Sequence, residues 1–297
     1  MESLVPAAGV YQAPDINAFV LQTGRLPKIG DPVAPWRYRG WLLYQVQFAD
    51  SHPKLSGRWA HYMRTLESGH LLKEPIPRIE FVLTNLDAGR KMLERCLRLI
   101  HQQDYSWASF NRLVDWLAWG LAVSREMPPL KEETQEALYR SFNLEPLLLN
   151  PHDYLGWLLA ERHSNGWNPN AFFPTPHPVV EFMVQLTLQG RGASSVRDPR
   201  LETVLDPCVG TGRMLLHASN YSYCLYGCDI DPVVAMITRI NGALYAPWLA
   251  FPFPQQVLGV ALPPQPPAPL PVPEQYRPAP GETLFRCDDH GQGLLFE

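Results

Sequence analysis

Hydrophobic and polar positions change their period along this chain. From about residue 79 to 162, apolar positions recur every three to four residues, the spacing of one helix face. Ala88 to Gln102 carries Met92, Leu93, Cys96, Leu97 and Ile100 in that pattern. Trp107 to Val123 predicts a second helix, Lys131 to Arg140 a third and Asp153 to His163 a fourth, with Pro128-Pro129 breaking the series. Helices in series without strands predict a helical N-terminal domain. Val179 to Leu188 predicts one more helix, entered through Pro176 and Pro178, which suit a first turn. Beyond residue 200 the runs shorten. Thr203-Val204-Leu205 reads as a strand ending in an acid, Asp206; Gly210, Thr211 and Gly212 form a turn; residues 213–219 read as a helix. Cys224 to Cys228 is a second short strand, ending in Asp229-Ile230-Asp231-Pro232, and Val233 to Leu244 returns to helix. Strand, helix, strand, acid, helix is a βαβ unit, so the fold class is α/β. Trp36 to Ala49 mixes aromatic and β-branched residues and fits strand or helix.

Proline and glycine divide the chain. Residues 1 to about 35 are rich in both and read as an extended arm. Residues 164–178 and 190–199 read as loops. From Pro252 to Pro280 there are eleven prolines in 29 residues, which excludes regular helix or central strand and predicts a polyproline-like linker. The expected organisation is an arm and small element over 1–70, a helical domain over 71–165, an α/β domain over 166–251, a linker over 252–280, and a final strand with tail over 281–297.

At 297 residues and 46% apolar, the chain can bury one large core or two ordinary ones. The formal net charge of −4 argues against holding nucleic acid by bulk charge, so basic groups would have to be local or come from a partner. Arg37 and Arg39 beside aromatics, and the Arg90, Lys91, Arg95 and Arg98 face of the 88–102 helix, are the candidates, although solvated faces explain them as well. Five irregularly spaced cysteines fit a reducing, cytoplasmic setting. The opening residues lack the basic and apolar regions of a signal peptide, and no run approaches a membrane span.

The candidate chemistry lies in Val204 to Leu216, VLDPCVGTGRMLL. It is neither GxGxxG nor GxxxxGK[ST], so phosphate cradling is disfavoured. An acid ahead of the glycines would repel a pyrophosphate but suits a cation. S-adenosylmethionine carries an ammonium and a sulfonium. Asp206 suits its methionine end, Asp229 can accept both ribose hydroxyls, and Ile230 can lie against the adenine.

DPCVGTGRMLL resembles motif I of the adenine-specific (N6) DNA methyltransferases, the group that includes type I modification subunits. FFPTPHPVVEFMV at 172–184 resembles motif X, YGCDIDPVVAMITRINGAL resembles motif II, and GETL at 281–284 is similar to motif III. The resemblance implies a Rossmann-like S-adenosylmethionine-dependent methyltransferase sheet, an S-adenosyl-L-methionine cofactor and a DNA partner. Carried over by position, it implies cofactor contacts at Asp206, Pro207, Gly210, Thr211, Gly212, Asp229, Ile230, Phe173 and Thr175. The family's [NDS]-P-P-[YFW] tetrad, which holds the target adenine, has no match. Leu262-Pro263-Pro264-Gln265 lacks the acceptor and the ring, while Asn150-Pro151-His152-Asp153-Tyr154 and Asn168-Pro169 precede motif X. No catalytic residue is therefore assigned, and the sheet is expected to be incomplete.

Three readings stay open: a divergent or truncated cofactor-binding protein, the cofactor half of a split enzyme with the tetrad on a second subunit, or an enzyme that uses Asn150 or Asn168. The first two together are preferred. A non-catalytic DNA-interaction or decoy module is the alternative of another class. Gln292, Leu295 and Phe296 match positions of the sliding-clamp-binding pentapeptide and mark a further candidate partner. Cys224 and Cys228, with Cys208, could be pictured as metal ligands, but a Cys-x3-Cys pair across a strand beside Asp229 reads as core.

Overall fold

The computed structural model describes residues 34–50, 52, 54–103, 108–163, 172–188 and 198–259. The arm over 1–33, the loop containing Asn168, most of the proline-rich stretch, the GETL segment and the tail with Gln292, Leu295 and Phe296 lie outside these residues.

The helical half comprises α1 (Trp41–Ala49), α2 (Arg58–Ser68), α3 (Asp87–Gln103), α4 (Ser109–Gly120), α5 (Glu132–Ser141), α6 (Glu145–Leu149), α7 (Tyr154–His163) and α8 (His177–Leu188). The α/β unit follows as β1 (Val204–Asp206), α9 (Arg213–Ala218), β2 (Leu225–Gly227), α10 (Pro232–Tyr245), α11 (Pro247–Ala250) and α12 (Gln255–Leu258). β1 and β2 pair in parallel, Val204 opposite Leu225 and Asp206 opposite Gly227. Most of the described chain is therefore helical, with a small two-stranded sheet.

The periodicity of α3 places Met92, Leu93, Cys96 and Ile100 in the core. In α4, Trp116 is fully enclosed, and Trp119 donates through its indole to the Trp36 carbonyl, so both tryptophans serve packing. Trp36 to Ala49 resolves into a single 3-10 turn, Pro35–Arg37, followed by helix. Arg39 is no nucleic-acid contact. It is buried, and its guanidinium donates to the Ser124 and Ala122 carbonyls that close the end of α4. Burial lowers it to about 10, with the charge of Arg125 adding to the fall. Of the α3 basic face, Arg90 lies over the Trp157 ring and Arg98 pairs with Glu94, while Lys91 and Arg95 are exposed.

One continuous hydrophobic core joins the two halves. Helix α10 packs on α4 and α11. Helix α2 reaches the α/β unit with polar groups: buried Arg58 donates to the Ser219 carbonyl and hydroxyl and to Asn220 Oδ1, and its guanidinium lies 4.3 Å from the centre of the Trp248 ring. The proline-rich linker expected from 252 does not start there. Pro252 to Gly259 packs inward, with one helical turn after Pro254 and with Phe253 and Val257 buried. Phe253 stacks on Trp248 and meets Tyr62, so aromatic anchoring outweighs proline composition in these residues.

Candidate cofactor cleft

β1 and β2 end side by side; Asp206 closes β1, and Asp229 follows the end of β2 by two residues. Parallel strands with the turn between them place Asp206 and Asp229 at one rim, the usual position of a ligand in an open α/β sheet. A cleft of about 490 Å³ opens there, within the ordinary range for small-molecule sites. Its wall is Asp206, Pro207, Val209, Gly210, Thr211 and Met214 from the loop and α9; Asp229, Ile230 and Asp231 from the second strand end; and Phe172, Phe173 and Thr175 from the segment before α8. Of the nine residues picked from the sequence, eight line this cleft, drawn together from positions 173 to 230.

Gly212 is the one that does not. It is buried at φ +86°, and a Cβ there would lie 2.8 Å from Thr238 Cγ2, so glycine serves the packing of α9 on α10. Thr211 reaches the cleft as a residue, but its buried hydroxyl turns inward and donates to Asp153 Oδ2. Gly210, at φ +54°, faces the cleft with only Phe172 near a notional Cβ.

The two acids differ in their bonding. Asp229 Oδ2 accepts the Gly210 amide at 2.8 Å and Oδ1 accepts the Asp231 amide at 3.0 Å. Asp206 Oδ1 accepts the Cys208 amide at 3.1 Å. Burial pushes the Asp206 carboxyl above its usual range. The Cys208 amide offsets part of this, and the negative charge of Asp229 adds to the rise. Each carboxylate retains acceptor capacity, since an ionised carboxylate offers roughly four lone-pair sites. Two acids sharing a partly desolvated cleft favour a cationic ligand that also presents hydroxyl donors. Phe173 and Ile230 add apolar surface, 81% and 71% exposed.

Below the loop lies a polar cluster that the sequence did not announce. Asp153, fully buried, accepts bonds from Thr211, Arg213 Nε, Asn241 Nδ2 and the Gly156 amide. Burial alone would raise its carboxyl. The Arg213 guanidinium and the Thr211 and Asn241 bonds outweigh burial and hold it below the usual carboxylate range. Beside it, His177 Nδ1 meets His217 Nε2 at 2.9 Å, under Phe81 and next to His152. Burial, with the Arg213 charge, drives His177 down to about 3 and His217 to about 4, so both rings are neutral at pH 7. Asn150 stands outside the cleft wall, its amide turned back to the Pro146 carbonyl. All the described cysteines are free; of the Cys224 and Cys228 pair expected in the core only Cys224 is buried, while Cys228 is half-buried and Cys208, in the loop after β1, is exposed, and no group of three or more metal-binding side chains occurs among the described residues.

The cleft, the turn and the strand ends all fall within one matching stretch. Residues 155–246 match the model of the N-6 DNA methylase family. This match supports the adenine DNA methyltransferase family for the segment from α7 through α10. Comparisons with curated proteins and with solved structures give no match. No described helix is long and apolar enough to cross a membrane.

Proposed function

We propose that the cleft binds S-adenosylmethionine and that the chain works in methyl transfer to adenine N6 of DNA, with the adenine-holding group on a segment or partner outside the described residues. The observation that carries this reading is the paired placement of Asp206 and Asp229 around a glycine turn, inside a stretch that matches N-6 DNA methylases. The donor set fits the cofactor. Asp206, raised by burial and by its acidic neighbour, is relieved by an ammonium group. Asp229 spends one bond per oxygen on backbone amides and keeps acceptor sites for two hydroxyls. Ile230 and Phe173 supply apolar contact for a purine ring. When bound, the cofactor supplies a methyl group activated on sulfonium.

Calorimetric titration with S-adenosylmethionine tests the binding. Saturable uptake by the full chain, weakened about 100-fold in Asp229→Ala, is expected, since losing bonds to a charged acceptor costs about 1.5–3 kcal/mol. No uptake by the folded wild type would overturn the reading. Transfer of tritiated methyl groups to unmethylated DNA, by the chain alone and with its genomic neighbours, tests catalysis and the need for a partner.

A further inference from the structure

One buried acid near the turn, Asp153, is not part of the cleft wall. Asp153 sits between helices, under the glycine turn, and its two oxygens divide the work. Oδ1 accepts from Asn241 and from the Gly156 amide, each at 2.9 Å. Asn241 Nδ2 also donates to the Thr211 carbonyl at 2.9 Å, so the acid and the amide hold Thr211 at its hydroxyl and at its backbone. Oδ2 takes the Thr211 hydroxyl and Arg213 Nε, the latter at 2.8 Å. The same guanidinium reaches onward: Arg213 Nη1 donates to the Thr175 carbonyl at 2.9 Å. Thr175 lines the cleft from a separate stretch of chain, the segment before α8.

We propose that Asp153 is the positioning residue of this cleft, one buried carboxylate that sets both walls at once, the glycine turn through Thr211 and the segment before α8 through Arg213. The proposal rests on the cofactor reading for its ligand but on geometry alone for its mechanics. The turn needs such a hold. Gly210 and Gly212 both have positive φ, and glycine passes freely between positive and negative φ, so the turn's own backbone does not fix one conformation and bonds from outside must select it. Removing the charge leaves Arg213 without its buried partner and loosens both arms together. Removing one arm loosens one wall.

Amide hydrogen exchange on the full chain without ligand, with calorimetry alongside, tests this. The variants are Asp153→Asn, Thr211→Val and Arg213→Gln. Leu138→Ala, in the distant helix α5, serves as a control that lowers stability without touching the cluster. Asp153→Asn is expected to speed exchange at least tenfold in both 206–214 and 172–180, beyond Leu138→Ala at a matched melting temperature. Thr211→Val should affect 206–214 alone, and Arg213→Gln mainly 172–180. Affinity for S-adenosylmethionine should fall at least tenfold in Asp153→Asn. Exchange no faster than in the control, or confined to 153–163, overturns the proposal. So does unchanged cofactor affinity in Asp153→Asn while the wild type binds. Coupled exchange in Asp153→Asn together with a wild type that binds no cofactor sinks the functional reading and leaves the positioning role standing. If Asp153→Asn fails to fold, the two single-arm variants decide the matter.

Discussion

The glycine turn has two sides, and they are built on opposite terms. The underside is saturated. Asp153, Asn241 and Thr238 meet the turn with bonds of 2.5–2.9 Å, and the Thr238 methyl fills the space that a side chain on Gly212 would need. The upper side is open and under electrostatic stress: two carboxylates share one rim, and Phe173 and Ile230 stand exposed. A buried polar network is stable only when complete, whereas a ligand site gains from groups left partly unsatisfied until the ligand arrives. Substitutions below the turn should therefore cost stability first, and substitutions above it should cost ligand affinity first.

The largest effect is expected below. Gly212→Ala forces a side chain into a left-handed residue and against Thr238, and should cost about 2–4 kcal/mol by urea denaturation. Adding Thr238→Ser removes the methyl and should recover part of that loss. No recovery would place the whole cost in the backbone. Above the turn, Asp206→Asn should weaken S-adenosylmethionine by about tenfold or more in calorimetry, since a hydrogen bond to a charged group contributes about 1.5–3 kcal/mol. It should leave the free protein as stable as before, or slightly more stable, because a like-charge neighbour of Asp229 is gone. A large loss of stability in Asp206→Asn would erase the contrast between the two sides.

The histidine cluster gives the contrast a pH signature. His177 and His217 titrate near 3 and near 4 when folded and near 6.5 when unfolded. Their neutral packing is fully present above about pH 6.5. It is lost progressively as pH falls from there toward 3, because the unfolded chain binds more protons across that window. Denaturation midpoints of the wild type against His177→Gln and His217→Gln should show a steeper acid loss in the wild type. Parallel profiles would count against the assignment. The smallest effects belong to the rim: Ile230→Ala and Phe173→Ala should leave stability within about 0.5 kcal/mol and reduce cofactor affinity a few-fold.

Much of this molecule was legible as pattern. Apolar periodicity located α3 most clearly, apolar runs bounded by prolines and polar loops located α4, α7 and α8, the break at Pro128-Pro129 set off α5, and the acid-ended runs located β1 and β2. Each of these signals is local, carried by residues a few positions apart. Helix α2 escaped because three positions on its inner face are Arg58, His61 and Thr65, all buried, so its packing side does not look apolar. Arg58 belongs inside only because Ser219, Asn220 and Trp248 wait for it some 160 residues or more away. The packed segment from 252 to 259 escaped for a related reason: its prolines describe the local backbone, and its two anchors, Phe253 and Val257, depend on distant partners.

At the turn the division is just as clear. Residue types alone marked Asp206, Gly210 and Asp229, because spacing and chemistry within some twenty-four positions suffice to suggest a cation-binding loop. The family resemblance also pointed to Thr211 and Gly212 as ligand contacts, and the fold turned the Thr211 hydroxyl and the whole of Gly212 inward. Asp153 stood in the sequence as part of a failed match to an adenine-holding tetrad. Only folding brings it within hydrogen-bond reach of Thr211, Arg213 and Asn241, which lie 58 to 88 positions away, and makes it the acid beneath the turn. Spacing along the chain names the groups that can meet a ligand. Which side of the backbone they face is decided by what packs behind them.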